Sequence, residues 1–508
     1  MTLGVATPSV VTPLCRGQGG EATLCYVPMS DQPTVTRIAP SPTGDPHVGT
    51  AYQALFNSVF ARQQGGRFIV RIEDTDRNRY NATSEGRILD MLDWLGIQPD
   101  ASPRNEDDQG PYTQSQRAGL HRQYAEALLE SGAAYRAFDT PEELEERRKA
   151  AEARKDSYLG YDRRDRELSR EESDRRAAAG EEFVIRLKAP LEGQTVVRDR
   201  LRGDVVFDNA QLDDKVLLKR DGFPTYHLAA MVDDHLMGVT HVIRAEEWLT
   251  STPIHKLILE GLGWQEPEWI HTPWLLSAGG KKYSKRRGDP SVEDFRRMGI
   301  LPEALLNYLG MMGWSMPGGE EIFSVDDMVR EFTWERVSLG GSTFDVTKLK
   351  WLNGKYLREV LSADEVVERV RAYLTEFGAG LPTEDEAYFT DVVRLMIPRL
   401  ETLGDFAEMT GYFWSDEFET DDKAAKAVQQ GADLLPDLRS ALAGVSDWNA
   451  EAIKHALHEY AEARELKLGK VMPPVRAAVA GTMQSPDLAE MLEVLGRERV
   501  LARLDRAL

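Results

Sequence analysis

Val35-Thr36-Arg37-Ile38-Ala39-Pro40-Ser41-Pro42-Thr43-Gly44-Asp45-Pro46-His47-Val48-Gly49-Thr50 is the segment on which the reading of this chain turns. Val35 to Ala39 predicts a short strand, and Asp45-Pro46 stops it. Ala51, Leu55, Val59 and Phe60 then recur at helical spacing. Gly65-Gly66 closes that helix. Arg67 to Glu73, with Phe68, Ile69, Val70 and Ile72, predicts a second buried strand. Strand, helix, strand make a βαβ unit, whose crossover is right-handed and whose ligands gather at the carboxyl ends of the strands.

The loop delivers His47, Gly49 and Thr50 to a helix start, where free N–H groups and the positive dipole end suit phosphates. Gly49 lets a flat base lie against the backbone, and an imidazole donates where charge builds in a transition state. The bland reading, a proline-rich turn capping an ordinary helix, fits the loop alone equally well. A second element is Lys281-Lys282-Tyr283-Ser284-Lys285-Arg286-Arg287 after Gly279-Gly280. Glycine hinges and clustered cations suit a loop that clamps polyphosphate. In isolation the same run reads as a solvated basic turn. Its place after the last βα unit of a nucleotide-binding sheet favours the clamp.

The remainder of the 508 residues sets limits. At 42% hydrophobic and 8% aromatic, the composition fills several globular cores. No window approaches the ~18 apolar residues of a membrane span, and Met1 to Val11 lacks the layout of a secretory signal. The two cysteines, Cys15 and Cys25, lie near the N-terminus, which disfavours a disulfide framework and fits a reducing cytoplasm. With 84 acidic against 62 basic residues, the net charge of −22 argues against loose nucleic-acid binding. A specific RNA partner remains compatible through local Lys and Arg patches.

Along the chain, residues 1–33 predict a disordered extension, with Met29 a candidate natural start. Residues 34–120 predict the first half of a nucleotide-binding domain. Residues 121–225 predict an α+β insertion, with a capping box at Thr140-Pro141-Glu142-Glu143 and short strands from Val184 to Asp208. Residues 226–280 return to the parallel sheet through Val239 to Arg244 and a helix begun by Pro253. The lysine loop and a further domain fill 281–361. Residues 362–508 predict an all-α region, with helix starts at Ser362-Ala363-Asp364-Glu365 and Ser485-Pro486.

Together these pieces resemble a class I aminoacyl-tRNA synthetase. His47-Val48-Gly49-Thr50 stands at that family's His-x-Gly-x signature, and Lys282-Tyr283-Ser284-Lys285-Arg286 at its Lys-x-Ser-Lys-x loop. The nearer resemblance is to the bacterial glutamyl-tRNA synthetase family, in the run Arg37 to Gly44, Arg71-Ile72-Glu73-Asp74-Thr75-Asp76, Tyr226-His227-Leu228-Ala229, Val232-Asp233-Asp234-His235 and Phe332-Thr333-Trp334-Glu335-Arg336. It runs from about Val35 to the C-terminus, with the motifs in the family's order.

The resemblance implies a Rossmann-like α/β catalytic domain with an inserted acceptor-binding domain and a helical anticodon-binding region. It implies the substrates ATP with Mg²⁺, L-glutamate and glutamate tRNA, in a cytoplasmic monomer. His47, Lys282 and Lys285 would be catalytic. Arg37 and Arg244 would hold the substrate carboxylates and Glu73 its ammonium, with Ala39, Ser41 and Tyr226 shaping that pocket. The residue types suit the task, because a dicarboxylic amino acid needs an arginine fork and an acid. A plain Arg37–Glu73 salt bridge between neighbouring strands is the structural alternative. Thr43, His47, Gly49, Thr50, Glu247, Leu275, Lys282, Ser284 and Lys285 would hold ATP. Arg399, Arg476, Ser485 and Leu488 would meet the anticodon, an arginine fork being suited to base edges.

Three places depart from the family's commoner patterns: Ala245-Glu246-Glu247-Trp248 after Arg244, Tyr283 in the lysine loop, and the lack of cysteine in the insertion, so that no protein metal site or structural zinc is expected. His455 and His458, at i and i+3, read as a solvated helix face. A glutaminyl-specific relative shares the active-site motifs, but its anticodon region is typically β-barrel, and this C-terminal third lacks strand patterning. A truncated tRNA-modifying relative would lack the helical region. A catalytically silent RNA-binding homologue is disfavoured by the intact His47, Lys282, Lys285, Arg37 and Glu73. A nucleotidyltransferase unrelated to tRNA leaves the helical region without a purpose.

Overall fold

The computed structural model describes residues 32–76, 81–155, 160–284, 288–378, 380–381 and 384–508, with the two-residue strands Cys15–Arg16 and Ala22–Thr23. The expectation for residues 1–33 falls almost wholly outside the described residues, and Lys285 lies outside them too. Two compact units emerge: Met1–Glu293 with Leu306–Phe344, and Asp294–Leu305 with Asp345–Leu508.

In the first unit, strand Val35–Ile38 is buried along its length and pairs in parallel with Arg67–Val70, Val35 opposite Arg67. Helix Val48–Gln63 makes the crossover and buries Ala51, Leu55, Val59 and Phe60, together with Tyr52 and Phe56. Strand His241–Ala245 pairs in parallel with Glu268–Thr272 on the other side of the domain. Side chains bridge the two halves. The Val35 amide donates to Thr240 Oγ1 at 2.8 Å, and the Thr240 amide to the Val35 carbonyl at 3.0 Å. Buried Asn57 donates to the Ile243 carbonyl at 3.2 Å. From Val35–Ile38 the chain thus leaves to one side and later returns on the other. That reversal opens a crevice beyond the strand ends, where doubly wound sheets bind ligands.

The insertion divides its strands between two sheets. Its own antiparallel sheet is Ala134–Ala137, Val184–Leu187 and Val216–Leu218. The hairpin Gln194–Asp199 with Gly203–Asp208 instead joins the catalytic sheet, Asp199 lying opposite Trp269. Short alternating strands look alike whichever sheet receives them, so the pattern alone does not assign them. Helix Pro141–Arg154 carries the expected capping box on Thr140. Beside it, fully buried Asp214 accepts from Tyr135 Oη at 2.7 Å and from Arg166 Nη1 at 2.8 Å.

The second unit is helical throughout its described residues from Asp345 onward. Ser362 caps helix Ala363–Phe377 with the expected box. Helix Leu488–Leu495 is capped by Asp487 rather than by Ser485, because a carboxylate two residues closer accepts from the Ala489 and Glu490 amides. Buried Arg503 donates to the carbonyls of Val479, Tyr412 and Ser415 and pairs with Asp416 at 2.8 Å.

Gly66 marks how closely helix and strand are joined. A Cβ there would stand 2.1 Å from the Thr34 carbonyl oxygen, which is backbone and cannot swing away. Gly66→Ala is expected to destabilise the first unit by ~1–3 kcal/mol, the usual cost of overpacking, read as a lower midpoint in urea unfolding.

Candidate active site

A cleft of about 1060 Å³ opens at the carboxyl ends of Val35–Ile38 and His241–Ala245. Arg37, Ala39, Ser41, Thr43, His47, Gly49, Thr50, Glu73, Tyr226, Arg244, Glu247, Leu275, Lys282 and Ser284 all line it. The first unit therefore gathers every described residue that the sequence assigned to amino acid and nucleotide.

Beneath the cleft lies a buried network of charge. Arg37 does not pair with Glu73. Its Nε and Nη2 donate to Asp234 at 3.2 Å, and Nη1 reaches the Ile243 carbonyl at 3.5 Å. Arg71 binds Asp234 at 2.8 Å and Glu73 at 3.1 Å. Arg117 holds Asp233 at 2.6 Å, where His121 Nε2 and Gln114 also converge. Three guanidiniums thus face the three carboxylates of Glu73, Asp233 and Asp234. Burial opposes ionisation of Asp234, yet the charges of Arg37 and Arg71 hold its pKa below the usual range. At Glu73 burial wins over Arg71 and pushes the pKa up. An arriving ammonium would stabilise the Glu73 carboxylate.

Arg244 differs in kind. A guanidinium carries five N–H donors, and here five neutral acceptors face them. Nε donates to His271 Nε2 at 3.0 Å, Nη1 to Tyr226 Oη at 3.0 Å and His255 Nδ1 at 3.2 Å, and Nη2 to Thr252 Oγ1 at 2.8 Å and the Trp248 carbonyl at 3.2 Å. Burial depresses the pKa of His271 to about 4 and that of His255 well below 6.5. Burial also lowers that of Arg244 itself. Tyr226 and Trp248 line the cleft, whereas Thr252, His255 and His271 are fully buried behind it.

His47 caps helix Val48–Gln63, and its Nδ1 accepts from the Gly49 amide at 2.9 Å. The Thr50 amide donates to the His47 carbonyl at 2.8 Å. These amides, expected to be free for phosphate, are occupied by the loop's own histidine. The bond to Nδ1 leaves Nε2 as the proton-bearing ring nitrogen of the neutral imidazole. The edge of His47 meets Tyr283 at 5.4 Å between ring centroids. Tyr283 is buried, donates from Oη to the Pro290 carbonyl at 2.9 Å and packs on Phe344. The departure at Tyr283 therefore ties the lysine loop to the His47 loop. Lys282 forms an ion pair with Glu247, both half-exposed at the rim.

Comparison with known proteins decides what this cleft belongs to. Residues 33–351 match the model of the class I tRNA synthetases (E and Q), catalytic domain, and residues 365–508 match an anticodon binding domain. The chain belongs to the class I tRNA synthetases of this group. It is 54% identical to a glutamate–tRNA ligase of Deinococcus radiodurans, covering 94% of this chain and 98% of that protein. It is 53% identical to one of Thermus thermophilus, covering 93% and 99%. A crystal structure of a glutamate tRNA ligase from Elizabethkingia meningosepticum in complex with its amino acid matches with a TM-score of 0.85 at 37% identity, over 94% of this chain and 99% of that one. The fold class expected from the sequence, a parallel-sheet catalytic domain followed by a helical anticodon-binding domain, is the one observed. Class I synthetases use ATP to activate an amino acid. Among the described residues no helix is long and apolar enough to cross a membrane.

In the synthetase's helical unit, Arg399 is exposed, and its charge acts on Arg476. Arg476 donates to the Ser485 and Pro486 carbonyls at 3.0 and 2.5 Å and also meets Ser485 Oγ. Arg399, Arg476 and Ser485 thus lie together, while the Leu488 side chain is 1% exposed and packs into the helical core. His455 and Glu459 form an exposed i, i+4 pair, in keeping with a solvated face.

Sequence reasoning missed the supports of the site. Asp233, Asp234 and Arg71 stood inside quoted motifs, and adjacent acids on an apolar helix were the available signal. Asp199, His255 and His271 carried none, because their partners lie 27–72 residues away or on other elements. His227, His235 and His271 are each pulled down by burial to about 4. An unfolded histidine titrates near ~6.5, so the folded form binds fewer protons between those values. Stability from the neutral rings is complete above ~6.5 and is lost as pH falls toward 4. Thermal midpoints should fall from pH 6.5 to 4.5. His235→Phe, which keeps a ring stacked on Trp264, should flatten that fall.

Proposed function

We propose that the protein is a glutamate–tRNA ligase. It joins ATP and L-glutamate into glutamyl-adenylate and pyrophosphate, then transfers the glutamyl group to the terminal ribose 2′-hydroxyl of glutamate tRNA, releasing AMP. The observation that carries this reading is the charge of the cleft. The floor is balanced, three guanidiniums against three carboxylates, and Arg244 adds a positive charge met only by neutral acceptors. Free glutamate carries one net negative charge and glutamine none, so the unbalanced guanidinium favours the acid over the amide. Desolvated charge-assisted hydrogen bonds make that preference large.

In the first step the glutamate α-carboxylate oxygen attacks the α-phosphorus, and the bond to the β,γ-diphosphate breaks. Arg37 and Arg244 hold the two carboxylates, Glu73 the ammonium, and Ala39, Ser41 and Tyr226 bound the pocket. His47 donates from Nε2 to the developing phosphate charge, with Lys282 and Lys285 as cations over the departing diphosphate. Thr43, Gly49, Thr50, Leu275 and Ser284 receive the nucleotide. Glu247 holds Lys282 until the polyphosphate competes for it. Mg²⁺ enters with ATP as its counter-ion. Within the insertion, buried Asp214 accepts from a phenol and a guanidinium. Arg399, Arg476 and Ser485 form the anticodon contact, and Leu488 shapes it from below. The enzyme works as a cytoplasmic monomer.

Two measurements test this. Aminoacylation with separate glutamate and glutamine tRNAs and each labelled amino acid should give glutamyl-tRNA(Glu). Glutaminyl products, or no product, would overturn the reading. Arg37→Ala should lower kcat/KM for glutamate by at least ~100-fold, the scale of one or two charge-assisted hydrogen bonds. Asp234 keeps Arg71 in that variant, so the protein should remain folded with a reduced thermal midpoint.

A further inference from the structure

The buried side of Arg244 is more specified than substrate binding alone requires. Three of its partners, His271, His255 and Thr252, are fully buried, while two, Tyr226 Oη and the Trp248 carbonyl, belong to residues lining the cleft. A carboxylate arriving from the cleft exchanges with the front pair, and the rear three fix where the guanidinium points. Of these, His271 alone takes the Nε proton, the donor that sets the plane of the fork.

An imidazole accepts at Nε2 only when its proton sits on Nδ1. Asp199 enforces that arrangement. Its Oδ2 lies 2.6 Å from His271 Nδ1, and a carboxylate there only accepts. The same oxygen accepts from the His271 amide at 3.0 Å, and Oδ1 from the Leu201 and Arg202 amides at 3.0 Å. Asp199 is therefore itself immobile. It comes from the hairpin strand Gln194–Asp199, which the sequence placed in the insertion and the fold adds to the catalytic sheet.

We propose that His271, oriented by Asp199, is a positioning residue that sets the direction of Arg244 and through it the affinity for the acidic amino acid. This rests on the reading of Arg244 as a carboxylate ligand given above. His271 touches no substrate, and its effect passes through Arg244. Holding a recognition group from behind is what makes its geometry precise enough to discriminate.

The two ring nitrogens separate by substitution. His271→Gln places an amide oxygen near the position of Nε2 and keeps an acceptor for Arg244. His271→Asn places its polar atoms near Nδ1, keeping the Asp199 contact and losing that to Arg244. In aminoacylation at saturating tRNA, the Asn variant should raise KM for glutamate about tenfold or more, with KM for ATP within about twofold. The Gln variant should restore KM for glutamate to within about threefold of wild type. Where the Asn variant lowers the thermal midpoint strongly, His271→Phe keeps the ring volume and carries the same expectation. Unchanged KM for glutamate in folded Asn or Phe variants, or equal effects of Asn and Gln, overturns the proposal. A wild-type enzyme that fails to charge glutamate would instead overturn the functional reading.

Discussion

Asp234 lies between two guanidiniums, Arg37 at 3.2 Å and Arg71 at 2.8 Å, and the chemistry of the cleft depends on that placement. A buried carboxylate with one arginine would merely be neutralised. With two, it holds Arg37 at the cleft floor and fixes Arg71, which in turn holds Glu73. Arg37 and Glu73 are thereby kept apart although the strand of one pairs with the strand that leads to the other. Desolvation makes such a network costly unless every charge is paired. Here each of the three guanidiniums and three carboxylates has an opposite charge beside it, so the network stabilises one arrangement of strand, helix and loop.

Arg244 uses the opposite device. Its charge is surrounded by neutral rings, a hydroxyl and a carbonyl, and burial keeps those rings neutral. Electrostatic recognition in a low-dielectric cleft is strong because water does not compete. The price is acid sensitivity, since protonating a buried ring converts an acceptor into a repelling cation. The two arginines thus differ, Arg37 being balanced by a carboxylate and Arg244 being met by neutral acceptors.

Much of the candidate site was legible in the chain. Arg37 and His47 flank one loop, Glu73 follows the next strand, and Lys282 follows a glycine pair, so local order already placed them at or just beyond strand ends. Helix Val48–Gln63 was legible from Ala51, Leu55, Val59 and Phe60, and helix Ala363–Phe377 from its capping box. The pairing of the hairpin Gln194–Asp208 with Glu268–Thr272 was not legible, because strand alternation does not say which sheet receives it. His47 was read as standing beside open amides, yet its ring accepts from one of them. A side chain that turns back on its own backbone leaves no periodic trace.

Sequence by itself determined the parallel-sheet class, the order of the two halves and the helical second unit. These follow from spacing, capping residues and residue chemistry, which are local properties. Tertiary structure alone decided that Asp234 rather than Glu73 answers Arg37, and that Asp199 and His271 stand behind Arg244. Partners separated by 197 residues in one case meet only when a helix of the second half packs on the first strand, and those 27 to 72 apart meet only when three strands align in one sheet. Burial then keeps His271 neutral, and the two guanidiniums keep Asp234 ionised against it.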